Sequence, residues 1–105
     1  MYFTVASTQG GKPSWWLYSS NGKMVAWAGE TFDSASNATR AANDFKIGAS
    51  TARYDIYQDT GGQWRWRAWR SSDKVASSGE SFDSRANAER AAANVRDNAG
   101  SATGP

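Results

Sequence analysis

Apolar and polar positions alternate from the start of the chain. Phe3 and Val5 fall on one face of residues 2–8, and Thr4 and Thr8 on the other. That period of two predicts a half-buried strand. Gln9-Gly10-Gly11-Lys12 predicts a hairpin turn, because glycine takes positive φ without a steric penalty. Residues 13–20 predict a second strand, with Trp15 and Leu17 pointing one way and Trp16 and Tyr18 the other. Pro13 suits a strand entry or an edge. Asn21-Gly22 is a strong hairpin signal, and a third strand is predicted over 24–28.

The period then changes. Ser34 (or Asp33) is placed to cap a helix, and Ala38, Ala41, Ala42 and Phe45 follow as a narrow apolar stripe at helical spacing. Alanine on that stripe lets a helix lie close to a sheet, and Gly48 is placed to end it. The predicted helix covers 34–46. The whole pattern then recurs. Tyr54 and Ile56 mark a strand, Gly61-Gly62 a turn, 64–70 a strand, and Val75 another. Ser84 caps a helix over 84–97 whose stripe is Ala88, Ala91, Ala92 and Val95.

The recurrence is literal over 29–45 and 79–95. Gly29-Glu30-Thr31-Phe32-Asp33-Ser34 is answered by Gly79-Glu80-Ser81-Phe82-Asp83-Ser84, and Asn37-Ala38 and Arg40-Ala41-Ala42 by Asn87-Ala88 and Arg90-Ala91-Ala92. The offset is 51 before the Asn21-Gly22 turn and 50 after it, so the second copy's turn is one residue shorter. A period of this size marks one supersecondary unit built twice, since a single copy cannot bury its apolar face alone. The organisation predicted is one domain over 1–105 made of two repeats, 1–50 and 51–100, with 101–105 a frayed polar tail. The fold class predicted is α+β: tandem β-β-β-α(-β) repeats with pseudo-twofold symmetry, forming one antiparallel sheet with two helices on one face. Phe3, Val5, Leu17, Val25, Phe45, Tyr54, Ile56, Val75 and Val95 are the predicted core.

Composition narrows the chemistry. With neither cysteine nor histidine, the chain has no disulfides, thiol nucleophile, thiolate metal site or imidazole base. The net charge is +2, spread evenly, with four basic against three acidic residues up to Ser50 and eight against seven beyond it. That balance argues weakly for a polyanion partner. No apolar run reaches the length of a membrane span, and Met1 runs directly into the first strand. The expected compartment is the cytoplasm, with no membrane partner, no cofactor and no metal.

The doubled pattern resembles the YegP-like family of small bacterial and archaeal proteins. The resemblance rests on Gly61-Gly62-Gln63-Trp64-Arg65-Trp66-Arg67, Ser78-Gly79-Glu80, Phe82, Ser84-Arg85 and Ala88-Glu89. The first copy departs from it, with Pro13 for Trp64, Trp16 for Arg67 and Thr39 for Glu89. The resemblance implies two β-β-β-α-β units sharing one sheet, the last strand of each exchanged with its neighbour. It carries over no catalytic or binding residue. Ser101-Ala102-Thr103-Gly104-Pro105 lacks the alternation of a final strand, so the exchange is expected to be incomplete in the second unit.

The candidate surface is the sheet face away from the helices. If Trp64, Trp66 and Ala68 pack under the helices, Arg65, Arg67 and Trp69 face outward, with Arg53 and Tyr57 on the neighbouring strand and Trp16 and Tyr18 in the first copy. A bulge would invert this parity downstream of it. Such a face can be plain cover, with arginines paired to Asp55 and Asp59. It can be an interface, since clustered exposed aromatics mark one. It can also stack bases and contact phosphates, as single-strand binders do. Glu30 and Glu80, each after a glycine, read either as an acid/base or divalent-ion pair or as loop residues near a helix N-terminus. The reading is a non-enzymatic binding or accessory module with a protein partner or self-association, monomeric as an internal pseudo-dimer. The alternative is a single-stranded nucleic-acid-binding protein.

Overall fold

A computed structural model describes residues 1–105. The strands are β1 (Tyr2–Ser7), β2 (Pro13–Tyr18), β3 (Met24–Trp27), β4 (Arg53–Gln58), β5 (Trp64–Arg70) and β6 (Asp73–Ser77). The helices are α1 (Ala35–Gly48) and α2 (Arg85–Asn98), followed by a short 3-10 turn over Ala99–Ser101. Both helices start where a serine oxygen takes a free first-turn amide. Ser34 Oγ accepts from Asn37 N–H, and Ser84 Oγ from Asn87 N–H, each at 3.1 Å.

All six strands form one antiparallel sheet in the order β1-β2-β3-β6-β5-β4. The order maps onto itself when the halves are exchanged, and the halves meet where Trp27 pairs with Ser77, residues 50 positions apart. The correspondence reaches single hydrogen bonds. Ala28 N–H donates to Trp15 O at 3.1 Å and Ser78 N–H to Trp66 O at 3.0 Å. Phe32 N–H donates to Pro13 O at 2.8 Å and Phe82 N–H to Trp64 O at 2.7 Å. The return bond, Trp64 N–H to Phe82 O, exists only in the second half, because Pro13 has no amide hydrogen to give.

Both helices and the sheet share one core. Trp15, Trp66, Leu17, Phe45 and Val95 are fully buried, and Phe3 nearly so. Trp15 stacks on Phe45 with ring centroids 5.3 Å apart, and Phe3 meets Trp15 edge-on at 5.5 Å. Under α2 the smaller Val95 stands where α1 has Phe45, and Trp66 packs on Tyr54 at 5.6 Å. Ala26, Ala68 and Ala76 on the strands, and Ala28 just past β3, share the core with Ala42 and Ala92 on the helices, all buried. Small side chains on both surfaces bring the helices down onto the sheet, and the tryptophans fill the remaining volume.

Five predicted core residues are half-buried instead. Val5, Tyr54 and Ile56 lie on the outer strands, at the limit of helix cover. Val25 and Val75 lie at register shifts of β3 against β2 and of β6 against β5, between Leu17/Tyr18 and Ala68/Trp69. The shifts fall at matching places in the two halves. Each sets two consecutive residues, Val25-Ala26 or Val75-Ala76, against the core.

The tail expected to fray is held in place. Ala102 is buried, Phe3 N–H donates to Thr103 O at 2.8 Å, and Thr103 N–H donates to Met1 O at 3.1 Å. Lys46 Nζ adds a bond to Gly104 O at 3.1 Å. Two backbone bonds and one buried methyl fix a segment that has no apolar alternation to announce it. The second unit's exchange is thus one parallel bridge, Tyr2 with Thr103, rather than a strand.

Candidate site on the open sheet face

On the face opposite the core, cross-strand pairing lays out one continuous row: Thr4, Trp16, Trp27, Ser77, Arg67 and Asp55. Every sequence-predicted site residue projects from this face. Trp16 and Tyr18 lie in the first half, on β2. Arg53, Tyr57, Arg65, Arg67 and Trp69 lie in the second, on β4 and β5. Arg53 is exposed and the others are half-buried. The structure therefore brings the seven into two groups on one face, not one cluster.

The second group sets its arginines against one carboxylate and two aromatic rings. Arg65 Nε donates to Asp59 Oδ2 at 2.9 Å. That bond, chiefly, holds the Asp59 carboxyl below its ordinary range, against some desolvation and with help from the Gln63 and Gly61 amides. The Arg67 guanidinium lies 3.9 Å from the centre of the Tyr57 ring, and Asp55 stands opposite Arg67 on β4. The Arg53 guanidinium lies 5.7 Å from the centre of the Trp69 ring. The Trp69 indole nitrogen is buried without an acceptor.

The first group is aromatic and carries no such pairing. Trp16 stacks on Trp27 at 6.4 Å with ring planes 16° apart, and Tyr2 on Tyr18 at 5.4 Å. Trp16, Met24, Trp27 and Gly79 line a shallow hollow of about 200 Å³. Its wall depends on Gly79, at φ +71°. A Cβ there would come within 2.8 Å of Met24 Cε and 2.9 Å of Trp27 Cδ1. At the matching place in the other half, Lys74 runs over Gly29 and donates to its carbonyl at 3.1 Å.

The sequence reading missed Trp27, Met24 and Tyr2. β3 has only four residues, too few for alternation to assign a face, and Trp27 is answered in the second copy by Ser77. Glu30 and Glu80 border separate cavities, one under each helix, and Glu80 is ion-paired to Lys23 at 3.8 Å. They do not form a shared carboxylate pair. No group of three or more Asp, Glu, His or Cys side chains is placed to hold a metal ion, and no helix is long and apolar enough to cross a membrane.

No protein-family model matches the chain, and no curated protein matches it. Two solved structures share its architecture. One is the solution NMR structure of UPF0339 protein SO3888 from Shewanella oneidensis, at TM-score 0.79 and 14% identity, over 94% of this chain and 84% of that one. The other is the solution NMR structure of yegP from E. coli, a protein of unknown function, at TM-score 0.81 and 17% identity, over 97% of this chain and 88% of that one. At these identities the likeness establishes the fold: the chain is built as the YegP-like proteins are, which its repeated residues resemble.

Proposed function

We propose that the chain is a non-catalytic binding module whose partner is a protein, engaged through the aromatic half of the open sheet face. The observation that carries this is the Trp16–Trp27 stack beside Met24 and Gly79, an apolar hollow with no helix over it. Burying flat aromatic surface releases water at little cost in side-chain entropy, which is why such rings anchor interfaces. On the other half of the face, Arg65 is already ion-paired with Asp59, and Arg67 and Arg53 lie over the Tyr57 and Trp69 rings.

The test is capture from native lysate by the chain and by a Trp16→Ala/Trp27→Ala variant whose fold is checked by circular dichroism. Capture of a protein that survives nuclease and is lost in the variant supports the reading. The nucleic-acid alternative requires capture that nuclease abolishes. It also requires tryptophan quenching by single-stranded oligonucleotides with a steep salt dependence, flattened in an Arg65→Ala/Arg67→Ala/Trp69→Ala variant.

A further inference from the structure

The two outer edges of the sheet are finished differently. At β1 the beginning of the edge is taken up by the tail, through the Phe3 and Thr103 amides and the Lys46 bond to Gly104. The tail backbone lies so close that a Cβ on Gly104 would meet Phe3 O at 2.7 Å. At β4 nothing lies alongside. The Asp59 amide points inward, to Gln63 O of the β4–β5 hairpin. Strand alternation then turns the amides of Tyr54, Ile56 and Gln58 outward, unpaired. The edge has no proline and no bulge, the usual guards against another strand. Beside it, between β4 and α2, is an uncovered hollow of about 170 Å³ lined by Tyr54, Ile56, Glu89, Ala92, Ala93 and Arg96.

We propose that β4 is a self-association edge, where a second copy of the chain adds its own β4 antiparallel to extend the sheet across a twofold axis. The charges choose both direction and register. The strand begins with Arg53 and is followed by Asp59, so antiparallel pairing sets unlike charges together and parallel pairing sets like beside like. Only outward amides can pair, so Tyr54, Ile56 and Gln58 must face one another. Centring on Ile56 opposes Arg53 to the second copy's Asp59 and Tyr54 to its Gln58. Shifting the centre to Asp55 sets that carboxylate on its own copy, and shifting it to Tyr57 sets Asp55 on Asp59. The same axis makes the two α2 helices antiparallel. Glu89 and Arg96, on one helix face two turns apart, are then complementary to themselves. An interface of this size is a weak one, with a dissociation constant on the order of 10 µM.

The test is sedimentation velocity of the full chain across a concentration series, with two proline variants. Gln58→Pro removes one outward amide of β4, which the monomer does not use. Ser7→Pro does the same at the matching position on β1. The expected result is a reversible dimer that Gln58→Pro weakens by about tenfold or more and Ser7→Pro leaves intact. An Ile56→Cys variant, in a chain without other cysteines, should give a covalent dimer on oxidation, and Gln58→Cys should not. A chain monomeric at about 100 µM (roughly tenfold above the expected constant), or a dimer lost in Ser7→Pro and kept in a folded Gln58→Pro, overturns the proposal. Cross-linking through Gln58→Cys alone overturns the register.

Discussion

The two halves of the molecule agree on one side of the sheet and part company on the other. Against the helices, Trp15 matches Trp66, Ala26 matches Ala76, and both helices present buried alanines at matching turns. On the open face, Trp16 is answered by Arg67, Trp27 by Ser77, Met24 by Lys74 and Tyr2 by Arg53. Burial fixes volume and polarity, so the core side admits few alternatives. The open side is free to differ, and it has differed into two chemistries. The second half sets Arg65 on a carboxylate and Arg67 and Arg53 over aromatic rings. The first half leaves stacked rings with no charge among them. That contrast is why we propose the first half as the partner surface.

The comparison breaks first at the core. Trp15→Ala and Trp66→Ala should each cost about 3–5 kcal/mol by chemical denaturation, since both side chains are fully buried. Unequal losses, one below about 1 kcal/mol, would show that the halves do not share the core evenly. The two loop glycines come next. Both hold positive φ, so alanine at either costs roughly 1–2 kcal/mol. Gly79→Ala should cost more than Gly29→Ala, because its methyl meets the rigid Trp27 ring while that of Gly29 meets the movable end of Lys74. Equal costs would mean that Trp27 is free to shift. The hairpins differ by less. Gly22 takes positive φ in the first, but in the shorter second turn Ser71 does so, at +55°. Ser71→Gly should therefore stabilise the chain by about 0.5–1 kcal/mol, read as a raised denaturation midpoint.

The finest difference is in pH. Asp59 anchors the second half's β4–β5 turn through the Gly61 and Gln63 amides and Arg65, where the first half uses Thr8. Its carboxyl is held below the ordinary value of 3.8, so the folded state favours the ionised form. The stability it contributes is complete above that value and is lost as pH falls through the lower folded value. Asp59→Asn should flatten the acid limb of the stability profile. An acid limb unchanged in that variant would assign the acid sensitivity to other carboxylates.

Much of this was legible in the residues. The helices follow from serine caps and alanine stripes at helical spacing, and the doubled sentence at 29–45 and 79–95 predicts matched units. The direction of Arg65, Arg67 and Trp69 follows from parity within one strand, whose pairing with β4 runs without a shift from Trp64 to Trp69. What parity could not carry was the step between strands. The register shifts after Leu17 and Ala68 decide how β3 and β6 lie, and nothing in Met24–Trp27 or Lys74–Ser77 marks them. The division of the face into an aromatic and a charged half depended on that step, because Trp27 joins Trp16 only through cross-strand pairing. The tail was illegible for another reason: its bonds to β1 are made by backbone amides, which every residue has.

That tail makes the molecule a ring with a single cut. After α1 the chain passes through Ala49–Ala52 directly into β4. After α2 it arrives beside β1 and is joined to it by hydrogen bonds and the buried Ala102, with no covalent bond. A flexible glycine linker from Pro105 back to Met1, with a new opening at the exposed Ser50-Thr51 bond, should give a permuted chain of the same fold. In such a chain β4 comes first and β3 leads through α1 to the end. Its amide spectrum should keep the shifts of the sheet and change only near the moved junctions.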